Sequence, residues 1–462
     1  EILPGGGRVN NLMDSDHLVK NADFLSYLRS RDAGERADGI WRELFGKADP
    51  ASINNESLPA LVLWAPTAAE LDQARYPAVD TLSALAPGRG LAVSRSSWSD
   101  EAVMFSIHAQ AYTEFKHDQA DKGQFTLYAY GADLVVDSGY GNDASRERSS
   151  SGFAHNLVLV DGEPQLQGGA HARTDGWIRT YLPAAAADLV RVDQRDAYEF
   201  FYASNFQSAT YRKVRVRDFV RAERTSLFVR GDFPYVVMFD DIQRDETMRT
   251  YSWLLHTATG NRVASEGRVV RIDAEKAHLE LHVLHPEIFS VKTEEFQTTR
   301  SGVHPRIRVD ATSMRPRFLT LLLPFPAQAG SRTRPRVERL QSKSGAPAAR
   351  ILWADGRIDW FSAGPAAAPD GSTVDADFCW MRFTADGRRE QVSASRLRML
   401  SGPTGLVLEA AEPVDLAWAG EEIEVGPGHA VRLRVAGEAA QMHIVELPPP
   451  ILPLGLPIRA MR

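Results

Sequence analysis

The sequence predicts a mostly β protein: a large antiparallel β-sandwich with a short N-terminal α-helical segment and a smaller C-terminal β region. Two observations carry this. Apolar residues keep helical spacing to about residue 86 and then switch to a period of two. Beyond the switch, strand-like runs follow at short spacing, separated by Gly-containing turns with few helices between, which argues for antiparallel pairing rather than βαβ units.

Within residues 1–86, Leu18, Ala22, Leu25 and Leu28 form one helical stripe after Asp14 and Asp16. Ile40, Trp41, Leu44 and Phe45 form a second that stops at Gly46, a C-terminal cap, and Leu58 to Trp64 makes a third short helix. Three short helices bury too little surface to stand alone. The segment therefore reads as the tail of a larger helical domain, or as a brace against the β region after it.

Residues 87–345 hold the sandwich. Its expected strands include 103–107, 125–130, 134–137, 156–160, 214–220, 226–230, 235–239, 250–255, 268–272 and 279–283. Tyr130-Gly131, Ser138-Gly139, Asp161-Gly162 and Arg230-Gly231-Asp232 mark turns between them. Residues 346–462 form the C-terminal region, with short strands from Phe378 to Leu447. A Pro-rich tail over 448–457 cannot be helical and is expected to drape over a surface.

Composition narrows the function classes. The 462 residues leave room for two or three domains at about 150 residues each. A formal net charge of -7 argues against a dedicated nucleic-acid binder but leaves room for a local basic cleft. No run approaches the ~18 apolar residues of a membrane span. Cys379 is the single cysteine, so intrachain disulfides and a cysteine-built zinc site are excluded, and it reads as buried and inert. The chain opens Glu-Ile-Leu-Pro, which reads as a processed or truncated product.

The polar chemistry gathers between residues 108 and 163. His117, Gln119 and Asp121 alternate, so on an extended strand they share a face. Asp137 ends one apolar run and His155 begins another. Three strand ends thus offer imidazole, amide and carboxylate groups to one site. The aromatic residues Trp177, Tyr181, Tyr198 and Tyr202 can stack on a ligand, but in a β protein they are core by default.

Taken together, His117-x-x-x-Asp121-x-Gly123-x-Phe125, the run Leu134-Val-Val-Asp-Ser-Gly-Tyr140 and His155-Asn-x-Val-x-Val-Asp-Gly162 resemble the heparinase II/III-like polysaccharide lyases. Arg95-Ser96-x-Trp98-Ser99 upstream is similar too, as are Val220-Arg221-x-x-Arg224, Tyr235–Ile242 and Tyr251-x-Trp253-x-x-His256 downstream. The resemblance spans roughly residues 90–325. It implies an N-terminal (α/α) toroid joined to a C-terminal antiparallel sandwich, a periplasmic or secreted location, and cleavage of an acidic, uronate-containing polysaccharide by β-elimination. Residues 1–86 would be the last toroid helices, with the missing toroid segment as partner.

Carried over residue by residue, the resemblance makes His117 the sheet-side histidine of the catalytic cleft. It puts Gln119, Asp137 and His155 at the positions where family members often hold a structural metal ion, zinc or calcium. Gln119 departs from the family's histidine, and a neutral amide is a poor zinc ligand. The three groups can hold a metal or form a hydrogen-bonded cross-link. β-Elimination removes a proton α to a carboxylate, so it needs a base, an acid for the leaving oxygen and donors that neutralise the carboxylate. His117 suits base or neutraliser, and Tyr140 suits acid/base. Arg146 and Arg148 suit bidentate pairing with carboxylate or sulfate oxygens. The alternative is a non-catalytic carbohydrate-binding or structural module. A hydrolase would need a carboxylate pair at defined separation, and only Asp118 and Asp121 stand near His117.

Overall fold

The computed structural model describes residues 2–10, 12, 19–20, 22–31, 34–77, 80–112, 118–139, 149–167, 172–205, 210–298, 302–329, 334–402, 407–419, 422–425, 431–434 and 441–444. His117, Tyr140, Arg146, Arg148 and the Pro-rich tail lie outside these residues.

Two uninterrupted apolar runs explain the architecture. Tyr235-Val-Val-Met-Phe239 and Phe318-Leu-Thr-Leu-Leu-Leu323 are buried at every position. Successive strand side chains point to opposite faces, so a strand with no polar face must be covered on both sides. These two strands pair in register, Val236 opposite Leu322 and Phe239 opposite Leu319, at the centre of an eight-stranded sheet. Val236, Met238, Phe318 and Leu322 point into one core, whereas Tyr235, Val237, Phe239, Leu319, Leu321 and Leu323 point into another.

The first core is closed by two smaller sheets. One is a five-stranded meander of Ser83–Ala86, Leu91–Arg95, Met104–His108, Gln124–Ala129 and Ala132–Val135. The other pairs Ser290–Thr298, Gly302–Ser313, Arg249–His256 and Val158–Val160. Phe105, Phe125, Leu127, Val158, Trp253 and Val309 meet the central sheet there. The second core is closed by the C-terminal sheet, through Ile351, Phe361, Phe378 and Trp380. Among the described residues all strand pairings are antiparallel except that of Glu422–Val425 with Gln441–Ile444, and the isolated bridge Val19–Ile53 is parallel too. The fold class is thus the antiparallel β-sandwich read from the sequence.

A polar bridge crosses the second core. Tyr235 donates its hydroxyl to Asp359 Oδ2 at 2.8 Å and accepts from Trp380 Nε1 at 2.9 Å. Asp359 also takes Arg382 at 2.7 Å and 2.8 Å, and Trp353 Nε1 at 2.9 Å. Every member is satisfied, so deleting one hydroxyl leaves a buried indole donor orphaned. Tyr235→Phe is expected to cost ~1–3 kcal/mol in urea unfolding, and an unchanged midpoint would show the bridge contributes nothing.

Ahead of the sandwich, helices Ala22–Arg29, Gly34–Leu44, Leu58–Trp64 and Ala68–Asp72 enclose a small core of Val19, Ala22, Leu25, Trp41, Leu44, Phe45 and Ala60. The segment braces the meander's outer face. Leu3 packs on Met104 and Tyr128, Asn10 Nδ2 donates to Ser106 Oγ at 2.9 Å, and Arg8 pairs with Asp133.

Three expected strands have other bounds than read, each for a local reason. The strand expected over 214–220 is Thr210–Arg215, in a hairpin with Phe200–Asn205. It stops because Arg217 is drawn inward to the Tyr198 carbonyl at 2.9 Å and the Pro164 carbonyl at 2.8 Å. The run 134–137 leaves the meander after Val135, where the Val136 N–H turns to the His256 carbonyl of the neighbouring sheet. The strand expected from Asn156 starts at Val158, because His155 and Asn156 are held by side-chain bonds instead.

Candidate functional site

The site lies where those strand ends meet. Val136 crosses from one sheet to the next, and this delivers Asp137 to His155, whose Nδ1 lies 3.2 Å from Asp137 Oδ2. Asp137 Oδ1 accepts the Gly139 N–H at 2.7 Å, and a positive φ of 65° at Gly139 lets that tight turn close. His155 is fully buried. Burial alone would lower its proton affinity, but Asp137, with help from Asp121, raises it overall.

Asn156 fixes the geometry. Its Nδ2 donates to the Phe125 carbonyl at 2.8 Å and the Val136 carbonyl at 3.0 Å, and its Oδ1 accepts the His256 N–H at 2.6 Å. One side chain thus clamps three strands, and it leaves His155 aimed at the carboxylate. Arg224 reinforces the junction from the central sheet. It is fully buried, donates to the carbonyls of Gly123 and Asn156 at 2.6 Å each, and pairs with Asp240 at 2.6 Å.

The turn after His117 carries a second cluster that the sequence pattern does not announce. Lys122 is 0% exposed and donates to Asp118 Oδ1 at 2.7 Å, Asp121 Oδ1 at 2.9 Å and the Gln119 carbonyl at 2.9 Å. Asp118 Oδ2 accepts the Arg173 N–H at 2.7 Å. Asp121 Oδ2 faces His108 Nδ1 at 3.3 Å. Despite burial, Lys122, His108 and His155 hold Asp121 far below the usual carboxylate range. Burial, together with the Asp121 charge, pushes Asp118 upward against the pull of Lys122. Burial opposes the Lys122 charge, yet the two aspartates raise its proton affinity overall.

Asp137 opens onto a cavity of about 380 Å³ between the N-terminal segment and the meander, shared with Arg8, Asn10, Thr126, Asp133 and His304. His304 Nε2 lies 3.0 Å from His256 Nδ1. Burial and the Arg306 charge push His304 down to about 4. His304 is therefore neutral in the fold, while an unfolded histidine protonates near pH 6.5. Its contribution to stability is complete above about pH 6.5 and is lost as pH falls toward 4, by up to about 3 kcal/mol. Urea unfolding at pH 7 and pH 4.5 should show His304→Gln losing less stability on acidification than the parent; equal losses would rule His304 out as the sensor.

Of the residues singled out in the sequence, Asp137 and His155 are in contact, and Gln119 is buried in the adjoining turn. The donors do not suit zinc. Both Asp137 oxygens already accept hydrogen bonds, His155 has Nε2 alone left over, and Gln119 offers an amide. Among the described residues no group of three His, Cys, Asp or Glu is placed to hold a metal ion.

Comparison with known proteins places this site in context. A family model described as heparinase II/III-like, C-terminal, matches residues 80–333. The structure of the heparan sulfate lyase HepC from Pedobacter heparinus aligns with a TM-score of 0.52 at 15% identity, over 76% of this chain and 49% of that one. A heparinase III structure aligns with a TM-score of 0.52 at 15% identity, over 83% of this chain and 50% of that one. The chain spans about half the length of these two proteins. No curated protein sequence matches it significantly.

Proposed function

The chain belongs to the heparinase II/III-like C-terminal domain family, and from that premise we propose that it is part of a polysaccharide lyase. Its substrate is an acidic polysaccharide or oligosaccharide containing uronate, cleaved by β-elimination in the periplasm or outside the cell. The observation that carries this reading is the anchoring of two motif segments to one buried network. Asp118, the residue after His117, is bound to Lys122, which is bound to Asp121. Asp121 lies close enough to His155 for their charges to interact, and His155 holds Asp137, which holds Gly139, the residue before Tyr140. Asp118 and Gly139, the described residues next to His117 and Tyr140 in the chain, thus belong to one network.

In this reading His117 removes the proton α to the uronate carboxylate or neutralises that carboxylate. Tyr140 returns a proton to the departing oxygen. Arg146 and Arg148 pair with carboxylate or sulfate oxygens and hold the sugar in register, so that the reacting groups meet within hydrogen-bond reach. The network of Asp118, Lys122, Asp121, His155 and Asp137 keeps its charges away from solvent. No helix among the described residues is long and apolar enough to cross a membrane.

The full gene product, incubated with alginate, heparan sulfate, chondroitin and hyaluronan in turn, should generate the ultraviolet absorbance of a 4,5-unsaturated uronate with at least one polymer. Binding without absorbance on every polymer would favour a carbohydrate-binding module instead.

A further inference from the structure

The turn that follows His117 in the chain is built around a cation already, and that cation is a side chain. Lys122 has three ammonium protons and three oxygen acceptors at 2.7–2.9 Å, from Asp118, Asp121 and the Gln119 carbonyl. Two carboxylates and a carbonyl converging on one buried positive charge form the kind of oxygen cage that otherwise surrounds a small metal ion. The surroundings are shaped to this lysine. A Cβ at Gly176 would stand 2.6 Å from Lys122 Cβ, so the glycine makes room for the stem. The Lys122 backbone is held from both sides by Gln165, its N–H donating to Oε1 at 2.9 Å and its carbonyl accepting from Nε2 at 2.6 Å.

The neighbouring positions complement this. Where the family resemblance puts a metal-ligating histidine stands Gln119, and its backbone carbonyl turns to the ammonium. Asp137 meets His155 on one oxygen and accepts the Gly139 N–H on the other. Asp121 links the two halves, touching Lys122 on one oxygen and facing His108 with the other.

We propose that Lys122 is the resident cation of this turn, doing the structural work of a metal ion, and that the protein carries no structural metal at this site. Lys122 is a positioning residue, since it holds the turn that follows His117 and touches no reacting atom. The inference concerns what holds the site together and stands apart from the lyase reading.

The test uses the full gene product purified without chelators. Elemental analysis should find zinc and calcium well below one ion per chain, and the thermal midpoint should be the same with and without EDTA. Lys122→Met strands two buried aspartates and should lower the midpoint by about 10 °C, with no recovery on adding zinc or calcium. The triple change K122M/D118N/D121N removes the stranded charges and should regain part of that loss. A stoichiometric metal ion whose removal lowers the midpoint of the parent would overturn the proposal, whether or not Lys122→Met folds. So would a Lys122→Met protein as stable as the parent.

Discussion

His117→Ala should reduce elimination by about 10²–10⁴-fold, the usual worth of a positioned general acid or base, while thermal unfolding stays close to the parent's. The stability expectation follows from where the fold's support lies. The turn is held from Asp118 onward by Lys122, the Arg173 N–H and Gln165, all of which an alanine at 117 leaves in place. The rate expectation follows from the chemistry, because a C–H α to an ionised carboxylate gives up its proton only when charge is neutralised and a base is in reach. The loss should fall mainly on kcat, since the group acts on the reacting atoms rather than on substrate affinity. Turnover within a few-fold of the parent would move the base elsewhere.

Arg224→Leu carries the largest expected effect on stability, a loss of about 3–5 kcal/mol, because it strands the buried Asp240 carboxylate. Arg224 also caps the carbonyls of Gly123 and Asn156 and lies over the Phe125 ring, 5.1 Å from its centroid. Those carbonyls belong to the chain on either side of the site, so the same substitution should loosen the His155 end of the network. Asp240 keeps the Trp253 indole N–H, at 2.9 Å. The double variant R224L/D240L removes the unpaired charge and should recover part of the loss. A fall of less than 1 kcal/mol in denaturant unfolding of Arg224→Leu would show that the charge is relieved by some other route.

The sheet architecture is legible in the sequence because burial leaves a pattern in single strands. Tyr235–Phe239 reads as a continuous apolar run, and the structure shows why: it is covered on both faces. Asp137 and His155 are legible as groups at strand ends. What brings them together is not, because it depends on Val136 changing sheets and on Asn156 bonding three separate segments. Lys122 escapes a sequence reading because a lysine between an aspartate and a glycine ordinarily marks a solvated turn. Only the packing of Gly176 and Gln165 around it turns that triplet into a buried core. His304 is not legible in the sequence, since its low proton affinity comes first from burial, to which the nearby Arg306 charge adds.

The central claim, elimination at a site anchored by this network, is tested most directly by the mass of the products. The full gene product acting on a uronate polymer in heavy-oxygen water should release unsaturated fragments, each one water lighter than its hydrolytic counterpart and free of heavy oxygen from the cleavage step, and His117→Ala should release almost none. Saturated fragments with one solvent oxygen incorporated per bond cleaved would mean hydrolysis, and would contradict the account.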